Sequence, residues 1–271
     1  MLIDTHAHIN FSDFAEDREE IMARAYELGV KKILHSCCRV SEIEELIRLG
    51  YEYDISDSMA NLFIAVGVHP IEVSSWEDNH AQLIREIIKR EFESHRHKIR
   101  AIGETGLDYF HCQELSDQEK QKEIFQEQIQ LAKEFSLPLI IHTRDAWNDT
   151  LDILKTNFKN STSDRNGTIH CYTGDLDFAK ACIDLGFFIS WSGILTFKKT
   201  ENLREVAKKL PLKRTLIETD CPYLAPQAKR GKRNEPSYVN YVAECLSEVY
   251  NLEQQEIAKQ TTSNAEYLFQ L

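Results

Sequence analysis

No apolar run in this 271-residue chain approaches the roughly 20 residues that span a bilayer; the longest, "LFIAVGV" and "LPLII", have strand length. Cysteine is scarce and unpatterned: seven residues, an odd number, with Cys37 and Cys38 adjacent and no CxxC pair. That excludes a disulfide framework, which a chain this long does not need, and predicts reduced, mostly buried thiols. Positive charge is short, with 32 Lys and Arg against 44 Asp and Glu and a formal charge of −12. Broad, non-specific coating of a nucleic-acid duplex needs many cations against phosphates and is excluded, although a local phosphate site is not. Linkers and low-complexity segments are absent, so one domain over residues 1–271 is the economical expectation. A cleavable leader is not expected, because "LIDTHAHI" begins at residue 2 and losing the first 15–30 residues or so would discard its histidines. The expected location is cytoplasmic, with no membrane contact.

What is present is alternation. Short β-rich runs recur at 2–8, 32–37, 62–70, 100–108, 137–143, 167–173, 187–193 and 215–224, with helix-like stretches between them. Gly29 and Gly186 read as helix C′ residues ahead of strands, and Ser116 as an N-cap ahead of Glu119. Eight such units predict an α/β fold, a single (β/α)8 TIM-type barrel, with extra C-terminal helices from "LEQQEIAKQTTSNAEYLF". A doubly wound open sheet is the alternative. The short spacing between strands 6 and 7 predicts a brief helix 6.

The strand ends carry chemistry. Strand 1 closes on His6-Ala7-His8, and side chains two apart on a strand share a face, so both imidazoles are expected to point into the barrel. Strand 4 ends at Glu104, strand 5 at His142, strand 6 at His170 and strand 8 at Asp220. Active sites of such barrels are built at the C-terminal strand ends. A lone strand histidine is ordinarily a core or surface residue, but packing does not explain six ligand types at five strand ends. Imidazole nitrogen and carboxylate oxygen suit Zn, Mn, Fe or Mg rather than soft thiolate metals. Six ligands exceed one tetrahedral ion and fit two ions about 3.5–4 Å apart, with Glu104 as the natural bridge.

The stretches "IDTHAHI", "AVGVHP", "IGETGLDYF", "IIHTRDA", "HCYTG" and "IETDCPYLAP…RGKRNEP" occur in order from residue 2 to about residue 236. Together they resemble the TatD family of metal-dependent deoxyribonucleases. The resemblance implies an amidohydrolase-type barrel with a two-metal centre, in which His6, His8, Glu104, His142, His170 and Asp220 correspond to the metal ligands. Ala7 and Tyr172 stand where the family often has Cys and Phe. Strand 4 carries Glu104 and no lysine, which favours the TatD-like branch over lysine-bridged lactonases. Deoxyribonuclease activity is implied, 3′→5′ on single-stranded DNA with divalent cations such as Mg, Zn or Mn, and no protein partner. The residues alone give metal-assisted hydrolysis without choosing the bond. A carbonyl hydrolase, such as a D-aminoacyl-tRNA deacylase, and a non-catalytic metal-stabilised nucleic-acid-binding protein therefore stay open.

Other residues take expectations of their own. Asp220 is the candidate to orient a water and accept its proton. Glu218, two residues earlier, either holds a ligand imidazole or fills a barrel layer. His69 is expected to meet substrate phosphate or donate a supporting hydrogen bond. Asp108 reads as a loop-structuring residue or a substrate contact. Strand alternation turns Cys171 and Cys221 away from the site. Tyr109, Phe110, Tyr172, Trp191 and Tyr223 either stack on bases or pack. Arg144 is poised between phosphate and a loop salt bridge, and no role falls to His35, His80, His95, His97 or His111. Lys229, Arg230, Lys232 and Arg233 crowd the loop after strand 8, where Gly231 allows close backbone approach. The family resemblance singles out Arg230 and Asn234 there as phosphate-binding residues.

Overall fold

In the computed structural model, which describes residues 1–54, 58–94 and 97–271, eight parallel strands hydrogen-bond in chain order. They are β1 (Leu2–Ala7), β2 (Val30–Ser36), β3 (Asn61–Val66), β4 (Ile99–Asp108), β5 (Leu139–Arg144), β6 (Gly167–Ile169), β7 (Phe187–Trp191) and β8 (Thr215–Ile217). Helices α1 (Arg18–Glu27), α2 (Ile43–Glu52), α3 (His80–Phe92), α4 (Leu115–Phe135), α5 (Trp147–Phe158), α6 (Leu176–Asp184) and α7 (Glu201–Lys209) alternate with them. Then come α8 (Val239–Tyr250) and α9 (Gln254–Phe269). The fold is the expected (β/α)8 barrel with an extra C-terminal helix. Its last seam is closed past the end of β8, where the Asp220 N–H donates to His6 O and the His8 N–H to Cys221 O, both at 2.9 Å.

Ile3, Leu34, Ala65, Ala101, Ile140, Phe188 and Leu216, one from each strand except β6, form one buried cluster. Residues from strands around the whole barrel can meet only inside it, so this is an interior layer. The C-terminal end of α9 plugs it with Ala265, Leu268 and Phe269. A larger apolar cluster joins the strands' outer faces to the helices.

Two bulges decide what faces the interior above that layer. Between Asp4 and Ala7, β1 advances three residues while β2 advances two, from Ile33 to His35. Between Ile102 and Thr105, β4 does the same against Leu139 and Ile141 of β5. One extra residue reverses side-chain parity beyond it. Counted by strict alternation from interior Ile3 and Ala101, His6, His8 and Glu104 would face outward; the bulges turn them in. Gly106 sits where these strands crowd: a Cβ there would lie 2.0 Å from His142 O, and its φ of +137° suits glycine.

Several sequence expectations shift. Strands 6 and 8 are shorter than read, so His170 and Asp220 lie just past strand ends, while Glu104 lies within β4 rather than at its end. Helix α4 starts at Leu115, with Glu114 as its N-cap, because the chain already turns helical before Ser116. Gly29 and Gly186 follow the C-caps of α1 and α6 with φ of 90° and 83°, as expected. His95 lies outside the described residues.

Candidate metal centre

The bulge in β4 brings Glu104, 2 % exposed, to the middle of a ring of imidazoles. Its two oxygens divide the ring. Oε2 lies 3.1 Å from His6 Nε2 and 3.7 Å from His8 Nε2. Oε1 lies 2.8 Å from His170 Nε2, 3.1 Å from His142 Nδ1 and 3.2 Å from His69 Nε2. Asp220 completes the first half, with Oδ1 at 3.6 Å from His6 Nε2 and 3.4 Å from His8 Nε2.

Each ring has an outer partner, and that partner sets which nitrogen carries the proton. His8 Nδ1 faces the Ser36 carbonyl at 3.0 Å, so it donates and leaves the Nε2 lone pair inward. His170 Nδ1 faces Glu218 Oε1 at 3.2 Å, with the same result. For His142 the order reverses: Nε2 donates to Asp108 Oδ2 at 3.0 Å, and Nδ1 points inward. His6 Nδ1 meets Ser36 Oγ at 3.1 Å. His69 differs, because its Nδ1 accepts the Ile71 N–H at 3.1 Å. The neutral ring therefore carries its proton on Nε2 and donates to Glu104.

Lone pairs thus face lone pairs. His6 Nε2 and His8 Nε2 are 3.2 Å apart, and the inward nitrogens point at carboxylate oxygens. Positive charge between them resolves the conflict. Burial opposes ionising Glu104, yet His170, His69 and His6 hold its carboxyl well below the usual carboxylate range. Burial likewise opposes charging His170, but Glu104 and Glu218 hold that ring well above the ordinary imidazole range. His69 moves the other way, lowered by burial, in keeping with a neutral donor. Among the described residues, three groups made of nitrogen and oxygen donors alone bring ligand atoms within 4.8 Å of one another: His6–Glu104–His170, His6–His8–Asp220 and His69–Glu104–His142. Buried nitrogen and oxygen donors in this arrangement fit divalent cations.

The remaining sequence candidates sort by position. Glu218 is fully buried; it accepts from Ser190 Oγ at 2.5 Å and Cys171 N at 2.6 Å besides facing His170. Asp108 does more than shape a loop, since its buried Oδ2 also meets His111 Nδ1 at 2.9 Å. That places His111, which drew no role from the sequence, in the wall of the cleft over the centre. This cleft, about 1120 Å³, is also lined by Arg144, Tyr223 and Cys171. Cys171 was expected to face away, but β6 ends at Ile169 and a φ of 45° at Cys171 breaks the alternation. Burial pushes the Cys171 and Cys221 thiols well up, which disfavours a thiolate nucleophile. Tyr172 and Trp191 are core residues at 2 % and 0 % exposure, whereas Phe110 and Tyr223 are exposed.

The basic loop after β8 corrects one expectation outright. Asn234 is fully buried and cannot reach a phosphate. Its Nδ2 donates to Thr219 O at 2.8 Å and Tyr223 O at 2.6 Å, and its Oδ1 accepts from Glu235 N at 3.0 Å. It folds the loop. Arg233 donates through Nη1 to Asp17, the N-cap of α1, at 2.9 Å. Arg230 is exposed, with its guanidinium 4.5 Å from the Phe197 ring centroid, outside the cleft lining. Ser36, the shared outer partner of His6 and His8, drew no role from the sequence, where it reads as an ordinary polar residue near the end of strand 2.

Comparison with known proteins fits this centre. The family model described as TatD related DNase matches residues 3–270. The chain belongs to the TatD family. Within it, the chain is 40 % identical over 271 residues to "Uncharacterized metal-dependent hydrolase YabD" of Bacillus subtilis, covering 100 % of both. It is 30 % identical to "3'-5' ssDNA/RNA exonuclease TatD" of Salmonella typhimurium, covering 100 % of this chain and 99 % of the relative. The crystal structure of YjjV, a TatD homologue from Escherichia coli, superposes with a TM-score of 0.88 at 29 % identity, covering 100 % of this chain and 98 % of that one. TatD relatives of this kind are named metal-dependent hydrolases, and the histidine–carboxylate cluster is the matching feature here. Among the described residues no helix is long and apolar enough to cross a membrane.

Proposed function

We propose that the chain is a two-metal phosphodiesterase that shortens single-stranded DNA. The observation that carries this reading is Glu104, whose oxygens face two separate sets of nitrogens across 2.8–3.7 Å. One ion would be held by His6, His8, Asp220 and Glu104 Oε2, the other by His142, His170 and Glu104 Oε1. Divalent cations there would lower the pKa of a water and offset phosphate charge. Asp220 is the carboxylate that orients the attacking water and takes its proton, since its side chain is 14 % exposed against 3 % for Glu104. His69 stays outside both sets because its inner nitrogen carries the proton and donates to Glu104 Oε1; with a cation on Glu104, that N–H would turn to a phosphate oxygen in the cleft that His69 lines. Glu218 and Asp108 keep His170 and His142 in the ligating tautomer.

The cleft suits a flexible strand. Phe11 stacks on His8 with centroids 4.8 Å apart and meets Tyr223 edge-on at 6.1 Å on one rim. The Arg144 guanidinium lies 3.9 Å from the Phe110 centroid on the other. Aromatic shelves beside a cation hold bases and phosphates without sequence preference. The exonuclease name of the Salmonella relative supports the same substrate class. The test uses end-labelled single-stranded DNA with Mg²⁺, Mn²⁺ or EDTA. Shortening should require the cation and fall about 10²–10⁴-fold in Asp220→Ala, the usual range for losing a general base. DNA left intact under every divalent cation, with an aminoacyl ester cleaved instead, would overturn the reading in favour of a carbonyl substrate.

A further inference from the structure

The donors expected at this centre are all nitrogen and oxygen, but a sulfur stands beside them. The chain leaves β2 through two cysteines that diverge. Cys37 is fully buried, and its thiol donates to Arg39 O at 2.9 Å. Cys38 turns into the cleft wall, with Sγ 3.7 Å from His8 Nδ1. His8, Cys38 and Glu104 form a further group whose ligand atoms lie within 4.8 Å of one another. The backbone holds Cys38 on both sides: its N–H donates to Glu42 Oε2 at 3.2 Å and its C=O accepts from His69 N at 3.0 Å. The same loop therefore fixes the thiol and the strand end that carries His69.

We propose that Cys38 is a ligand, together with His8 and Glu104, of the ion on this side of the centre, which makes this half a nitrogen, oxygen and sulfur site. The inference rests on the two-metal reading above. As the metal–sulfur bond forms, the thiol proton leaves to solvent and no atom changes oxidation state. Thiolate favours Zn²⁺ and Co²⁺ and gives little to Mg²⁺. The other half, with His142, His170 and Glu104, offers sulfur nothing and suits harder ions. The two positions should then differ in metal preference within one protein.

Titrating the metal-free protein with Co²⁺ separates the claims. Visible d–d absorption reports ions bound by any donors; intense near-ultraviolet charge transfer reports sulfur. We expect both, with the near-ultraviolet band lost in Cys38→Ser and kept in Cys171→Ser. Zinc affinity in Cys38→Ser should fall by roughly tenfold or more, since even an outer partner of a ligand is worth about that much. Visible bands without charge transfer would overturn the ligand role while leaving the metal centre standing. A band lost in Cys171→Ser but not in Cys38→Ser would also overturn it. No absorption change at all would overturn the two-metal reading itself. The wild-type protein gives a check that needs no variant: Zn²⁺ should protect Cys38 from alkylation read by mass spectrometry, and equal labelling with and without Zn²⁺ counts against the proposal.

Discussion

A histidine ligates only through the nitrogen without a proton, so what lies behind the ring matters as much as what lies before it. Ser36, Glu218 and Asp108 give His8, His170 and His142 inward lone pairs, while the Ile71 N–H gives His69 an inward proton. Beneath them sits Asp4, fully buried, which accepts from Thr219 N at 2.9 Å and Thr219 Oγ1 at 2.6 Å. Burial, aided by the neighbouring charge of Glu218 and opposed by the Thr219 hydrogen bonds, pushes its pKa up to about 8. The folded protein then holds a proton that the unfolded chain releases in the ordinary carboxylate range. Folding takes up that proton at intermediate pH, so this contribution to stability is complete in acid and is lost as pH rises towards about 8. Asp4→Asn keeps a carbonyl for the Thr219 and His6 N–H groups and removes the proton. Urea midpoints of metal-free protein should drop between about pH 5 and about pH 8 in the wild type and drop less in the variant. Parallel declines would show that Asp4 is ionised throughout.

At the scale of elements, the sequence placed His6 and His8 on one shared face, expected to be the inner one, and both rings do meet Glu104 inside the barrel, but it did not show the device that turns that face in. Period-two alternation carries that much; the one-residue bulges that turn both histidines and Glu104 inward leave no mark in composition. The alternation of strands and helices was legible because each unit repeats its own hydrophobic period, whereas the lengths of β6 and β8 were not, since apolar loop residues beyond them read like strand. Helix α4 shows a further device that hydrophobic pattern misses. Gln121 and Gln128, seven residues or two turns apart, each clasp a strand-end backbone with both amide atoms. Gln128 takes Val68 N at 2.8 Å and gives to Val68 O at 3.1 Å; Gln121 takes Asp108 N at 2.8 Å and gives to Asp108 O at 3.0 Å. The clasps fix the ends that carry His69 and Asp108. Gln121→Leu leaves a buried N–H and C=O unpaired and should lower unfolding free energy by roughly 2–5 kcal/mol. Gln126→Leu, on the exposed side of the same helix, should stay within about 0.5 kcal/mol. Chemical denaturation of both variants decides it; equal shifts would mean that the clasp contributes nothing.

Across the whole molecule, the proposed ligands come from opposite walls of one barrel whose closing seam is its thinnest part. β8 has three residues, and the seam to β1 is made by backbone bonds of His6 and His8 with Asp220 and Cys221. Cations bridging His6, His8 and Asp220 would tie that seam, and Glu104 would tie it to β4 and, through His142 and His170, to the far side. A cation that binds only the folded barrel stabilises it by mass action, about 2.7 kcal/mol at a free concentration 100 times its dissociation constant. For a chain of this size each kcal/mol moves the melting temperature by roughly 2–4 °C, so EDTA should lower Tm by about 5–10 °C per tightly held ion, and added Zn²⁺ or Mn²⁺ should restore it. In Asp220→Ala the rise on adding metal should shrink, because the seam-side ion loses its only donor from beyond β8. A melting temperature indifferent to chelator in the wild-type protein would mean that the imidazoles and carboxylates hold themselves apart by sharing protons. The cluster would then be a polar barrel core rather than a metal centre.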